Sequence, residues 1–376
     1  MSKKESPVSY RAEMVLPYGE QPLDVVTPPG VLPDPLTAPG NRLSLAGWTL
    51  VAKRAVTDFS VDALVDRAAT LTYYVLLTLA PAILATYSLV LLILPNTGND
   101  VPELLREFID RYVPDELHTQ AFYLLDVIVG SPSQNTVALI ASVAVSLLSA
   151  SAYIRSFSRN ANVIYGRSEG RNLVVIWATM GLATVVLEVG ALSIILASLM
   201  RESIIIGFLA PVAEPLGLTE QLEYLTTVFL PVWSWLQIPF IAVVALGLIS
   251  MLFHVAPNVN RGRYRPITVG SAFAFAVILA IWIGFSIFLS TVGVRSAYGA
   301  FGTVLTVLVL VWLMNMVLLL GVKVDAEVLR AKELQLGYDS ERMIQAPPKS
   351  MEAVRFRIRI RHWVARTAER VKNARS

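Results

Sequence analysis

The amino-acid sequence predicts an all-α membrane protein: a polytopic helix bundle with about six transmembrane helices and both termini in the cytoplasm. The chain of 376 residues is 55% hydrophobic and only 16% charged, and its mean hydropathy is +0.59. Because soluble domains carry about a quarter of charged residues, this composition excludes an ordinary soluble enzyme. The absence of cysteine also excludes disulfide frameworks, iron–sulfur clusters and thiolate zinc sites.

Six long apolar windows predict the transmembrane helices. A helix needs about 20 mostly apolar residues to cross a hydrocarbon core about 30 Å thick. The windows are continuously apolar rather than alternating, which excludes a membrane β-barrel. They lie at residues 68–94, 136–154, 173–200, 224–253, 267–292 and 303–322.

The positions of the basic residues predict the orientation of the bundle. Cytoplasmic loops of membrane proteins are enriched in Lys and Arg. Of the 31 basic residues, 27 lie in the N-terminal tail, the second and fourth loops and the C-terminal tail, whereas 4 lie in the other three loops. Both termini are therefore predicted to face the cytoplasm.

The segments around the windows predict how the chain is organised. Residues 1–42 are rich in proline, which predicts a disordered cytoplasmic tail. Residues 43–330 are predicted to form the membrane domain, and residues 95–134 within it an amphipathic extracytoplasmic loop. The domain begins with an amphipathic helix from about Leu45 to Phe59. This helix either lies in the membrane interface or packs against the cytoplasmic ends of the spans.

The C-terminal segment, residues 331–376, is predicted to contain a basic amphipathic helix. Phe356 and Trp363 share its apolar face, and arginines surround them. Near an anionic surface each basic residue contributes about 1 kcal/mol of attraction. We therefore expect anionic lipid headgroups as partners, and no nucleic acid, because no nucleic-acid-binding motif accompanies the basic run. The predicted lipid contacts are Arg355, Arg357, Arg359, Arg361, Arg366 and Arg370.

Three polar side chains inside the windows predict an intramembrane pocket. Glu188 is the one formal charge within a window, and a charge at the bilayer centre costs about 2.5–3.5 kcal/mol. Gln237 and Asn315 lie on the fourth and sixth windows at similar expected depth, so the three could share one pocket. The alternative is that they form hydrogen bonds between helices and bind no substrate.

Two prolines are candidate helix breaks. Pro81 lies near the centre of the first window and Pro239 lies within the fourth. A proline frees a backbone carbonyl and can kink its helix. Broken helices are common at transporter binding sites, but they also occur in bundles that transport nothing.

The sequence predicts no enzyme, no cofactor and no metal site. His118, His254 and His362 lie in separate regions of the chain, and no phosphate-binding loop or hydrolase motif occurs. Asp62 and Asp66 are spaced as a carboxylate pair on one helical face. We interpret this pair as orienting the first span through ion pairing and capping rather than as catalytic.

Several motifs are distinctive in combination. They are residues 67–81 (Arg-Ala-Ala-Thr-Leu-Thr-Tyr-Tyr-Val-Leu-Leu-Thr-Leu-Ala-Pro), 162–166 with 169–171, 254–258 with 269–274, and 297–302 through Trp312 to 320–325. Together they resemble the YihY/virulence-factor BrkB family of six-span bacterial inner-membrane proteins over most of residues 45–330. The family usually ends this region with Leu-Gly-Ala-Glu. Here Lys323 occupies the acidic position, and Asp325 follows two residues later.

The resemblance implies a multi-pass protein of the bacterial inner membrane. Members are linked to serum resistance or to movement of lipids, and some were once labelled ribonuclease BN. Our leading hypothesis is transport or handling of phospholipid or lipid-linked molecules without an intrinsic ATPase. The alternatives are a noncatalytic membrane scaffold that maintains the envelope and ribonuclease BN-type tRNA processing. The last we judge a misannotation, because three scattered histidines cannot hold the two metals of such an enzyme.

Overall fold

The computed structural model describes most of the predicted membrane domain and the C-terminal segment. Most of the predicted N-terminal tail and of the loop at residues 95–134 lies outside the described residues. Those described are 35–36, 38, 40–93, 136–200, 217–261, 266–291 and 300–374, with 106, 109–110, 118, 122–123, 125–126 and 205–206 in the two long loops.

The described part of the chain contains helices and no strand, which confirms the all-α prediction. The helices are α1 (Leu45–Val61), α2 (Leu64–Ile93), α3 (Thr136–Ile164), α4 (Leu173–Leu199), α5 (Thr219–Tyr224), α6 (Leu230–Val255), α7 (Val269–Thr291), α8 (Ala300–Gln335) and α9 (Glu352–Asn373). A π-helical turn at Leu225–Phe229 joins α5 to α6.

Four stretches of helix are long and apolar enough to cross a membrane: Leu173–Ser198, Thr219–Val255, Val269–Phe288 and Val304–Gln335. They coincide with the last four predicted windows. Most of their side chains are not buried within the protein, as expected of helices that face lipid. α2 and α3 coincide with the first two windows, and the total of six spans stays a prediction.

The helices pack as a bundle around α8, which contacts α1, α2, α3 and α7, while α6 contacts both α4 and α7. The fully buried side chains concentrate where α3, α6 and α8 approach their C-terminal ends. There the rings of Phe157 and Phe253 stack 6.1 Å apart beside the buried Leu319. We call this end of the bundle, formed by residues 45–64, 155–173, 252–261, 266–270 and 321–351, the charged end.

α8 extends well past its predicted window, which ends at Val322. Its 36 residues span about 54 Å at a rise of about 1.5 Å per residue, more than the hydrocarbon core requires. α1 packs along this extension, where Val51 contacts Val324 and Val328. This packing is the second of the two arrangements considered for α1, and contact of α1 with the membrane interface stays a prediction.

The helices are continuous at the two prolines predicted as break positions. α2 continues through Pro81, and α6 continues through Pro239. The irregular backbone lies instead in the π-helical turn at Leu225–Phe229, just before Pro231. Such turns occur mostly as single turns within longer α-helices.

Candidate functional site

Buried charges surround Lys323 on α8. Its ammonium nitrogen lies 2.7 Å from Asp58 Oδ2, 3.0 Å from Asp62 Oδ2 and 3.0 Å from Glu327 Oε1. The side chains of Lys323, Asp62 and Glu327 are only 4%, 2% and 0% exposed. Buried charges persist only when they are paired, so this contact binds α1 and the α1–α2 turn to α8.

Two arginines complete the group, which we call the Lys323 cluster: Arg54, Asp58, Asp62, Lys323, Glu327 and Arg330. Arg330 Nε lies 2.9 Å from Glu327 Oε2, and Arg54 Nε lies 3.8 Å from the same oxygen. Three cations thus face three carboxylates. Burial raises the pKa of Asp58, but the hydrogen bond and charge of Lys323 outweigh it, and the pKa is below its ordinary value.

A second buried ion pair joins the α6–α7 connection to α8. Arg261 Nη1 lies 3.1 Å from Asp325 Oδ2 and donates a hydrogen bond of 2.8 Å to the hydroxyl of Tyr165. The other carboxylate oxygen of Asp325 accepts a bond of 2.7 Å from the backbone N–H of Gly270. Asp325 therefore holds the start of α7 and the end of α3 against α8.

A third ion pair closes the α3–α4 loop. Arg171 Nη2 lies 2.7 Å from Glu169 Oε2 and also donates to Ser158 Oγ at 2.9 Å and to the carbonyl of Ala256 at 2.8 Å. Burial raises the pKa of Glu169, but the hydrogen bonds and charge of Arg171 outweigh it, so the pKa is below its ordinary value. The carboxylate form is thus the one that the fold favours.

We expect acid to weaken the charged end through Glu169. Because its pKa is lower in the folded protein than in the unfolded chain, its contribution to stability is present above about pH 4.5 and is lost as the pH falls towards the folded value. Glu169→Gln should therefore show a smaller drop in melting temperature between neutral pH and pH ~3 than the wild type. Thermal unfolding in detergent measures this, and equal drops would contradict the prediction.

Residues 336–351, which we call the strap, return from α8 across the charged end. Arg167 donates to the carbonyls of Ile344 at 2.5 Å and Ala346 at 2.8 Å. The fully buried Glu333 accepts bonds from Ser340 Oγ at 2.6 Å and from the backbone N–H of Gln345 at 2.8 Å. The strap is therefore part of the packed structure.

The three polar residues of the predicted pocket lie at different depths. Gln237 Nε2 donates to the carbonyl of Ala197 at 2.9 Å, and Ala197 is nine residues along α4 from Glu188, about 13 Å. Asn315 accepts a bond of 2.9 Å from the hydroxyl of Tyr153, towards the charged end. Gln237 and Asn315 thus make hydrogen bonds between helices, and no described hydrogen bond joins either to Glu188.

Glu188 itself has an unusual environment. Its Oε1 atom is buried and has no hydrogen-bond partner, while the side chain as a whole is half-buried. Two residues further along α4, a Cβ atom added at Gly190 would lie 2.5 Å from the side chain of Leu248 on α6. Residues two apart in a helix point in nearly opposite directions, so Glu188 lies on a different face of α4 from this contact.

An apolar groove separates α7 from α8 in the half of the bundle far from the charged end. Its volume is about 440 Å³. A Cβ atom added at Gly284 meets nothing within 4 Å, so this glycine leaves space in the groove. The lining residues are Ile281, Gly284, Phe285, Phe288, Leu305, Thr306, Val309, Leu310 and Leu313.

The six arginines predicted to contact lipid lie on α9, and all six are exposed. Arg357 also donates to the backbone carbonyl of Glu169, and the guanidinium of Arg359 lies 5.8 Å from the ring centre of Phe356. Contact with lipid stays a prediction for all six.

Comparison with known proteins identifies the family of the chain. The family model for virulence factor BrkB matches residues 55–343. The chain belongs to the BrkB virulence-factor family. The match confirms the resemblance carried by the sequence motifs, and a membrane protein with several apolar helices is consistent with it. It covers the Lys323 cluster except Arg54, together with the groove and the first half of the strap, whereas α9 lies beyond it.

A curated relative of this BrkB-family protein comes from Bacillus subtilis (strain 168). It is the ribonuclease-like protein YfkH, which is 26% identical over 274 residues that cover 72% of this chain and 91% of the relative. No solved structure matches the chain. Within the described residues, no three His, Cys, Asp or Glu side chains are grouped so as to hold a metal ion.

The Lys323 cluster was not predicted from the sequence. Asp62 and Asp66 were interpreted as a pair on one helical face, whereas in the structure Asp62 lies 3.0 Å from Lys323 and Asp66 is exposed. One signal was available. Asp58 and Asp62 are four residues apart, as are Lys323 and Glu327, and such spacing places each pair on one face of its helix.

Proposed function

We propose that this BrkB-family protein handles lipid in the bacterial plasma membrane by binding an acyl chain in the groove between α7 and α8. The observation that carries the proposal is the groove itself. Its volume of about 440 Å³ lies within the range of about 300–1,000 Å³ typical of ligand sites. Its walls are aliphatic and aromatic apart from Thr306, whose hydroxyl donates to the carbonyl of Gly302 on its own helix.

The location of the groove supports a lipid ligand. Both of its walls belong to helices that are long and apolar enough to cross a membrane, so lipid tails are the molecules most abundant around them. An acyl chain needs apolar contact and no hydrogen-bond donors, which matches this lining. By the predicted orientation, the groove lies in the extracytoplasmic half of the bilayer. Movement of lipid by this protein would be passive, ion-coupled or driven by a partner.

Glu188 is the residue proposed to respond to protons. A carboxylate at membrane depth is costly unless it is paired or neutralised, and its Oε1 atom is buried with no partner. The earlier hypothesis of a pocket shared with Gln237 and Asn315 would require the three to meet in another conformation of the bundle. Glu188→Gln removes the titratable group and keeps its shape.

Filling the groove should slow lipid movement. Gly284→Leu places a side chain in the groove, where a Cβ atom meets nothing within 4 Å. We expect the rate at which purified protein moves a fluorescent phospholipid across liposome leaflets to fall about tenfold, which corresponds to a loss of about 1.4 kcal/mol of binding. The measurement compares liposomes containing wild type, variant or no protein.

Gly247→Leu is the matched control. A Cβ atom at Gly247 also meets nothing within 4 Å, and Gly247 lies on α6, away from the groove. Gly247→Leu should keep the wild-type rate. Because Glu188 is proposed to respond to protons, we expect the wild-type rate to depend on pH and the rate of Glu188→Gln not to. The proposal fails if wild type moves lipid no faster than empty liposomes do, or if Gly284→Leu moves it as fast as wild type.

A noncatalytic scaffold is the second candidate, and the charged end favours it. At the charged end, α1, α3, α7 and α8 are held together by the Lys323 cluster, by the Arg261–Asp325 and Arg171–Glu169 pairs and by the strap. Such a rigid structure is what a scaffold requires. Folded wild-type protein that moves no lipid would favour this function. The name of YfkH supplies a third candidate, RNA hydrolysis, which the same purified protein can be assayed for with a labelled tRNA precursor.

A further inference from the structure

α9 presents an exposed surface that contains both large apolar and basic side chains. Every residue from Arg355 to Ala374 is exposed, and only Val354 near the start of the helix is buried. Large apolar side chains are among the exposed ones; Trp363, for example, is 64% exposed. The helix has seven basic residues and two acidic ones, so its net charge is strongly positive.

The large apolar residues and the arginines lie on different sides of the helix. At about 3.6 residues per turn, the large apolar residues apart from Ile358 fall within an arc of about 100°, the width of a continuous apolar stripe. Arginines border the stripe on both edges. The apolar residues are Phe356, Ile360, Trp363, Val364 and Val371; Arg355, Arg359, Arg366 and Arg370 lie along one edge, and Arg357 and Arg361 along the other.

The base of α9 is fixed beside the start of α4. The backbone N–H of Ala353 donates to the carbonyl of Gly170 at 2.9 Å, and Asn172 Nδ2 donates to Glu352 Oε2 at 2.8 Å. Asn172 is also the residue that caps α4. The first residue of α4, Leu173, is 75% exposed, so the apolar surface of a spanning helix begins within one residue of this contact.

A membrane surface is therefore expected at the level of the base of α9. Trp177 on α4 supports this level, because the guanidinium of Arg155 lies 4.1 Å from the centre of its ring, and tryptophan is enriched where helices enter the headgroup region. A helix that leaves the bundle at this level has lipid headgroups beside it. Its stripe and borders match those of helices that lie in a membrane interface.

We infer that α9 docks on the anionic lipid surface of the membrane leaflet in which α4 begins. The apolar stripe enters the boundary between headgroups and acyl chains. The arginines on its two edges extend along the surface and pair with lipid phosphates. This docking is independent of the proposed function, since the groove lies in the other half of the bundle.

The absence of cysteine from the chain allows a sharp test. Val364→Cys carries a nitroxide label on the apolar stripe, and Ala365→Cys carries it on the opposite face as the matched control. The full-length protein is reconstituted in liposomes of phosphatidylglycerol mixed with phosphatidylcholine, or of phosphatidylcholine alone. Relaxation by oxygen and by a water-soluble nickel chelate, present on both sides of the membrane, reports whether each label meets lipid or water.

We expect the label at position 364 to be shielded from nickel and accessible to oxygen only in the anionic liposomes, while the label at 365 meets water in both. Replacing Arg355, Arg359, Arg366 and Arg370 with Gln leaves the contact of Arg357 with Glu169 in place. It should lower the ratio of docked to free helix about fivefold for each arginine removed.

Three results would overturn the inference. The first is a label at 364 that meets water as freely in anionic liposomes as the label at 365 does. The second is shielding that is equally strong in phosphatidylcholine alone, which would mean that the headgroup charge has no part. The third is shielding that requires added RNA instead of anionic lipid, which would assign this surface to nucleic acid.

Discussion

Lys323→Met is expected to lower the free energy of unfolding by about 3–5 kcal/mol, the cost typical of removing one partner from a buried ion pair. Methionine keeps much of the length of the side chain, so the change tests the charge rather than the packing. Without the ammonium group, Asp62 and Glu327 would remain almost fully buried, with like charges close together. Unfolding by an anionic denaturing detergent, or by heat in a mild detergent, measures the loss.

Arg54→Met provides the matched control in the same cluster. The side chain of Arg54 is 30% exposed and lies 3.8 Å from the buried Glu327, too far for a hydrogen bond. Because solvent reaches the guanidinium, we expect a contribution close to that of solvent-screened pairs, about 0–1 kcal/mol. Its loss should therefore be several times smaller. Adding Glu327→Gln to Lys323→Met should restore part of the stability, because one buried negative charge is removed. Similar effects of the two single changes would show that Lys323 is not the centre of the cluster.

The sequence best predicts those spans whose composition is uniformly apolar. The third window, 173–200, matches α4 at Leu173–Leu199 within one residue, because a continuous apolar run has no stable state other than a helix in lipid. The sixth window ends at Val322 because Lys323 introduces charge, yet α8 continues to Gln335. The partner Asp58 lies 265 residues away in the chain, and local sequence cannot show a contact of that range.

The candidate pocket shows a second reason why the sequence predicts the structure incompletely. The depths of Glu188, Gln237 and Asn315 were judged from their distances to the window centres, as if each window were centred in the bilayer. The hydrogen bond of Gln237 to Ala197 depends on how α4 and α6 are shifted along each other. That shift follows from side-chain packing such as the contact of Gly190 with Leu248, which hydropathy does not encode.

Gly270→Ala is expected to be the other strongly destabilising change. A Cβ atom there would lie 2.1 Å from the carbonyl oxygen of Gly321 and 2.7 Å from Cγ of Asp325, so α7 and α8 would have to separate. Overpacking typically costs about 1–3 kcal/mol. We expect the upper end of that range or more, because separation also stretches the bond from Gly270 N–H to Asp325 and disturbs its pair with Arg261.

Gly181→Ala separates this close approach from the general effect of a methyl group on a membrane helix. A Cβ atom at Gly181 meets nothing within 4 Å, and alanine is favoured over glycine in helices by about 1 kcal/mol. This variant should unfold like the wild type or at higher denaturant. If Gly270→Ala did the same, α7 and α8 would not depend on glycine to meet. Small residues that let backbones approach are the usual basis of helix association in lipid, so the stability of this end should follow residue size at position 270.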